Sequence, residues 1–114
     1  MKMMVLLSNG FEEVEAVAPV DILKRAGVVV DIYSTTGHDI LKGAHNIDFI
    51  ADKILPDNMN DNDCDIISKD YDGVILPGGL PNAHNLRDDI RVNDIVMAFY
   101  NKSKVVAAIC ASPC

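Results

Sequence analysis

Apolar and polar positions fall into blocks along this chain, and the period of each block predicts its element. Residues 2–8 read as a short continuous apolar strand that stops at the turn signal Asn9-Gly10. Phe11, Val14, Val17, Ala18, Ile22 and Ala26 then recur at helical spacing, with Glu12, Glu13, Glu15, Asp21, Lys24 and Arg25 between them. Gly27 suits a C-cap, and Lys24 and Arg25 suit the partial negative charge at that helix end. Pro19 predicts a kink or irregularity inside the helix. The β-branched stretch 28–33 reads as a second strand, so strand, helix and strand form a βαβ unit of a parallel sheet.

The pattern weakens over 34–52, with one short strand expected at 46–50. The polar stretch 56–65 reads as a surface loop or a ragged short helix. A buried strand follows at 71–76 and ends in Pro77-Gly78-Gly79. Residues 85–101 carry one amphipathic helix, and 104–109 a last strand. The alternation defines an α/β chain of one domain over 1–114, with its site expected in loops at the carboxyl ends of the strands. A parallel strand at 104–109 calls for a covering helix after Pro113. The expectation is therefore a fragment, or one chain of a cleaved protein, completed by a C-terminal segment or a second chain.

Composition narrows the function classes. The residues are 49% hydrophobic but only 5% aromatic, so the core is aliphatic. A net charge of −7 without a basic patch argues against nucleic-acid contact. The first apolar run is too short for a signal peptide or a membrane span. An odd set of cysteines, Cys64, Cys110 and Cys114, without an export signal points to free thiols and a cytoplasmic location.

The chemistry concentrates in Ala107-Ala108-Ile109-Cys110-Ala111-Ser112-Pro113. A nucleophile at a strand-to-helix turn is exposed, with its neighbour's N–H aimed at the same point. The helix N-terminus favours the thiolate. A small buried hydrophobe closing a strand fits Cys110 equally well. At Pro77-Gly78-Gly79, the two glycines allow a close backbone approach, so the Gly79 N–H could face an oxyanion; a simple tight turn also fits. Glu12, Glu13 and Glu15 suit a solvated helix N-terminus. Glu15 lies nearer the apolar stripe, and a carboxyl half-buried beside a thiolate would keep its proton and donate it in a hydrogen bond. His38, His45 and His84 read as surface-loop histidines, and no cluster has the ligand count of a metal site. Cys114, four residues after Cys110, fits either a resolving thiol or a residue packed under the helix.

These segments together resemble the ThiJ/PfpI family of the class I glutamine-amidotransferase-like superfamily, whose members include protein deglycases. The resemblance runs through Asn9-Gly10-Phe11-Glu12-Glu13-Val14-Glu15, Pro19-Val20-Asp21, Arg25-Ala26-Gly27, the stretch from Tyr71 to Gly79, and Ala107 to Pro113. It implies a flavodoxin-like three-layer sandwich and a homodimer. It implies a Cys110 nucleophile with a protonated Glu15 as partner, and oxyanion donors from the Gly79 and Ala111 amides supported by Gly78. Arg25 becomes a possible anion holder, although a helix-end surface charge fits it too. The implied activity is cofactor-free and glyoxalase- or deglycase-like, on small reactive carbonyls such as methylglyoxal or glyoxal and their adducts. Two rivals stand beside it: a redox-sensing stress chaperone without turnover, and a cysteine peptidase or amidase. The family's histidine beyond the elbow has no counterpart among His38, His45 and His84.

Overall fold

The computed structural model describes residues 1–109. Its elements are β1 (Lys2–Leu7), α1 (Glu13–Arg25), β2 (Val29–Ser34), β3 (Ile40–Lys42), β4 (Asp48–Ile50), β5 (Lys53–Ile54), α2 (Asp61–Asp70), β6 (Gly73–Leu76), α3 (Asn82–Arg87), α4 (Ile90–Asn101) and β7 (Val105–Ala108). Five strands form one parallel sheet in the order β5-β2-β1-β6-β7, while β3 and β4 pair as a separate antiparallel hairpin.

Helices cover both faces of the sheet, and β1 shows why. Successive side chains of a strand point to opposite faces. Met3, Val5 and Leu7 pack with Phe11, Ala16 and Val20 of the α1 segment. Met4 and Leu6 pack with Cys64 of α2, Leu86 of α3, and Val92, Ile95 and Phe99 of α4. A strand buried on both faces has to be apolar throughout, which is why β1 reads as a run rather than an alternation. The result is an α/β flavodoxin-like layered fold.

Two expectations are corrected, and a third, the short strand, is met and extended. The stretch read as a loop or ragged helix contains the start of α2, a regular ten-residue helix. Its composition is polar, but Asn60 and Asp63 close a capping box that satisfies the helix's first amides. The single helix expected over 85–101 is two, because Asp89 caps α4 by accepting from the Arg91 amide at 2.9 Å. The short strand expected at 46–50 is one arm of the β3–β4 hairpin, and β5 adds a further edge strand. The α1 helix runs through Pro19, and Gly27 follows its C-cap Ala26 with φ +84°.

Candidate active site at the carboxyl ends of the central strands

From β1 the chain passes to β2 on one side and later to β6 on the other. A crevice opens where a parallel sheet changes winding direction in this way, beyond the carboxyl ends of the strands. The loops after β1 and β6 meet there. The Glu12 amide donates to the Gly78 carbonyl at 3.1 Å. A Cβ on Gly79 would lie 2.2 Å from the Glu12 nitrogen, and one on Gly10 2.0 Å from Pro81 Cδ. Both glycines also have positive φ, +99° and +81°. Glycine is thus needed twice over, for conformation and for contact.

Asn82, wholly buried, ties the same loops together. Its Oδ1 accepts from the Ser8 amide at 2.7 Å, and its Nδ2 donates to the Pro77 and Gly78 carbonyls at 2.7 and 3.2 Å. The sequence reading missed this residue; a lone Asn after Gly-Gly-Leu-Pro carries no signal of a staple to a loop 74 positions away.

The last strand arrives beside them. The Ile109 amide donates to the Leu76 carbonyl at 2.9 Å, so the residue before Cys110 lies against the strand end that leads into Gly78 and Gly79. Cys110 and Ala111 themselves lie outside the described residues, as does Cys114. An apolar cavity of about 210 Å³ adjoins this corner, lined by Leu76, Pro77, Gly78, Leu86, Val96 and Ile109 among others.

Glu15 stands on the first turn of α1, near the Glu12–Gly78 contact. Its Oε1 is buried and has no hydrogen-bond partner among the described residues. Buried polar atoms are almost always paired, so this oxygen marks a place where a partner belongs. Pro19 adds to the polarity of the turn, because it offers no N–H to the Glu15 carbonyl four positions back.

Glu13, a neighbour on the same turn, is buried and fully engaged. It accepts from the His45 amide at 2.8 Å, the His45 ring Nδ1 at 3.0 Å and the Ile47 amide at 3.2 Å. Burial pushes the Glu13 carboxyl up, but the bonds from His45 and the backbone amides together hold it below the usual carboxylate range. The hydrogen bond to Glu13, and then the charges of Glu13 and Glu12, raise the His45 imidazole above its ordinary value. His45 is an exposed loop residue, as expected, but a bonded one; His38 and His84 are exposed loop and helix positions. Glu12, Glu13 and His45 bring ligand-type atoms within 4.8 Å of one another. Both Glu13 oxygens are already taken by donors, which makes the trio a hydrogen-bonded clasp.

Arg25 lies ten residues along α1 from Glu15, roughly 15 Å at the helical rise. Its exposed side chain pairs with Asp21 at 3.1 Å. The structure therefore does not bring Arg25 to Glu15 within one chain. Cys64 is packed between α2 and α4, and burial, reinforced by Asp94, Asp61 and Asp63, pushes its thiol up. That environment suits an inert structural thiol. No helix among the described residues is long and apolar enough to cross a membrane.

Comparison with known proteins agrees with this architecture. The DJ-1/PfpI family model matches residues 1–114. The Parkinson disease protein 7 homolog of Danio rerio is 33% identical over 110 residues, covering 96% of this chain and 54% of the relative. Schizosaccharomyces pombe DJ-1 superposes with a TM-score of 0.86 at 28% identity, covering 97% of this chain and 58% of that one. Oxidized Toxoplasma gondii DJ-1 gives 0.82 at 31% identity, covering 98% and 56%. The chain spans about half the length of these relatives. In fold, and in sequence over residues 1–114, this chain belongs to the DJ-1/PfpI family.

Proposed function

We propose that this chain carries the nucleophile half of a cysteine-dependent, cofactor-free enzyme acting on small reactive carbonyls, methylglyoxal or glyoxal, free or condensed onto an amine. The observation that carries the reading is the buried Oε1 of Glu15, unpartnered among the described residues and one helical turn from the Glu12 amide that meets Gly78. A carboxyl that keeps its proton there donates to the Cys110 sulfur and favours the thiolate.

In the reaction proposed for free methylglyoxal, the thiolate adds to the aldehyde carbon. The carbonyl π pair moves to oxygen, held by the Gly79 and Ala111 amides, and takes a proton to give a hemithioacetal. Having given the oxygen that proton, the Glu15 carboxylate then carries a proton from that carbon to its neighbour, while the hydroxyl proton passes from the first oxygen to the second. The first carbon is oxidised to a thioester as the second is reduced to an alcohol. Water releases the hydroxy acid and regenerates the thiol, so no external oxidant or reductant is consumed. The whole enzyme acts as a homodimer in the cytoplasm, its sheet completed beyond β7 by a C-terminal segment or a second chain.

A redox-sensing role is the second reading, favoured by the relative from Toxoplasma gondii solved in an oxidized form. The same Glu15 donor would stabilise an oxidised Cys110. Methylglyoxal consumption by the full-length polypeptide separates the two. Cys110→Ser should reduce turnover to background, and Cys110 should alkylate with iodoacetamide ahead of Cys64 and Cys114, with a midpoint below the free-thiol value of about 8.5. Turnover that survives Cys110→Ser sinks the enzymatic reading; absent turnover with selective oxidation of Cys110 leaves the sensor.

A further inference from the structure

The β3–β4 hairpin meets α1 through one buried carboxylate, Glu13, and through Leu41 and Phe49, which share a core with Ala16 and Val20. A tight turn, with the Gly43 amide donating to the Ile47 carbonyl and the Asn46 amide to the Gly43 carbonyl, aims the amides of His45 and Ile47 in one direction. Asn46 takes the left-handed conformation that this turn needs, at φ +64°. Both amides end on Glu13 Oε2, and the His45 ring closes on Oε1. A Cβ at Gly43 would press on the Glu13 carboxyl, which would have to shift.

The hairpin also grips the loop that leads into α1. The Gly10 amide donates to the Lys42 carbonyl and the Ala44 amide to the Phe11 carbonyl, each at 2.8 Å, and the Lys42 amide to Asn9 Oδ1 at 3.0 Å. Phe49 stacks edge-on against Phe11, with centroids 6.2 Å apart. Glu15 follows two residues after Glu13 on the same helical turn, so whatever sets the pitch of that turn sets the Glu15 carboxyl.

We propose that Glu13 and His45 form a positioning pair for this site: they clasp the hairpin to the first turn of α1 and thereby hold Glu15 in register with Cys110. The proposal rests on the roles given above to Glu15 and Cys110. The charged groups facing the imidazole are the Glu13 carboxylate at 3.0 Å and the Glu12 carboxylate at 3.7 Å, both on the α1 side. A protonated ring facing two carboxylates makes a charge-assisted bond, and a neutral ring a weaker one. The clasp is tightest once Glu13 is ionised and while His45 holds its proton, and it relaxes as pH rises through the raised His45 value.

The test uses the full-length polypeptide from about pH 5.5 to 8.5, the range in which histidine titrates. His45→Asn places an amide donor near the Nδ1 position without a titrating group. Its Cys110 alkylation rate, taken as a ratio to wild type at each pH, should change about threefold across the range, because only the wild-type clasp titrates. Backbone hydrogen exchange at His45 and Ile47, corrected for intrinsic pH dependence, should accelerate with pH in wild type and not in His45→Asn. A flat ratio together with pH-independent protection of those amides overturns the proposal. Glu15→Gln is the companion variant. If it alters Cys110 alkylation while the His45→Asn ratio stays flat, the positioning pair alone fails; if Glu15→Gln changes nothing, the Glu15–Cys110 assignment fails and takes the pair with it.

Discussion

β1 and β7 are written in the same alphabet and live in opposite surroundings. Both are short aliphatic runs of one parallel sheet. In β1, Met4, Val5 and Leu6 are at most 1% exposed; in β7, Val105 and Val106 are 56% and 37% exposed. The difference is one of place. β1 has β2 and β6 on its two sides and helices on both faces, whereas β7 pairs with β6 alone among the described residues. An apolar run therefore identifies a strand without giving its depth, and a run that stays wet marks surface that other polypeptide is fit to cover.

The sharpest way to break that contrast is to truncate one side chain in each strand. Leu6→Ala should cost about 2–5 kcal/mol, since the site is closed on all sides and cannot collapse freely. Denaturant titration measures it, and a loss below about 1 kcal/mol would show that β1 is less tightly packed than its burial implies. Gly79→Ala comes next, at about 1–2 kcal/mol for the positive φ alone, with the contact on Glu12 added. It should also lower Cys110 reactivity, because the two loops would have to separate; unchanged stability would remove the interlock.

Val106→Thr sharpens the comparison from the other side. In the polypeptide of residues 1–114, diluted below the range of self-association, it should stay within about 0.5 kcal/mol, the usual range for exposed positions. In a longer chain that covers β7, it should cost more. Equal effects in both would mean that β7 remains wet. Sedimentation of the 1–114 polypeptide belongs with this test: self-association is expected, and a monodisperse monomer with cooperative unfolding would refute the need for a covering partner.

The smallest effect is the pH dependence of the clasp. His45 is raised on folding, so its contribution is complete below about 6.5, the unfolded value, and is lost as pH rises through the folded value. Glu13 is lowered, so its share is complete above about 4.5 and is lost as pH falls through its folded value. The melting-temperature gap between wild type and His45→Ala should narrow from about pH 6 to 8.5. A constant gap would assign His45 a purely steric role.

What could be read beforehand followed the same physics. β1 and β6 were legible because burial on both faces demands an uninterrupted apolar run, β2 and β7 because β-branched and small aliphatic residues cluster in them, and α1 because its stripe is regular. The β3–β4 hairpin was only partly legible: Ile40-Leu41-Lys42 and Asp48-Phe49-Ile50 are too short to establish a period. The start of α2 was hidden because side-chain capping, not apolar spacing, sets it. The break between α3 and α4 was hidden because apolar residues continue at helical spacing across Asp88 and Asp89. At the site, Glu15 and Gly79 were visible from their places beside an apolar stripe and at a strand end. Glu13, His45 and Asn82 were not, since their partners lie 32 to 74 positions away and no local pattern joins them.

The backbone contact between the loops at Gly10 and Gly79 also bears on how this site can diversify. Each loop presses against the other at a point where no side chain fits, so neither glycine can be exchanged alone, and drift at one position is vetoed by its opposite number. Leu80, one residue further on, is 47% exposed and meets no such veto. A saturation library across both loops should therefore return glycine at 10 and 79 in nearly every folded clone while position 80 samples freely, making Leu80 the point through which selection can reshape the mouth of the crevice without disturbing its walls.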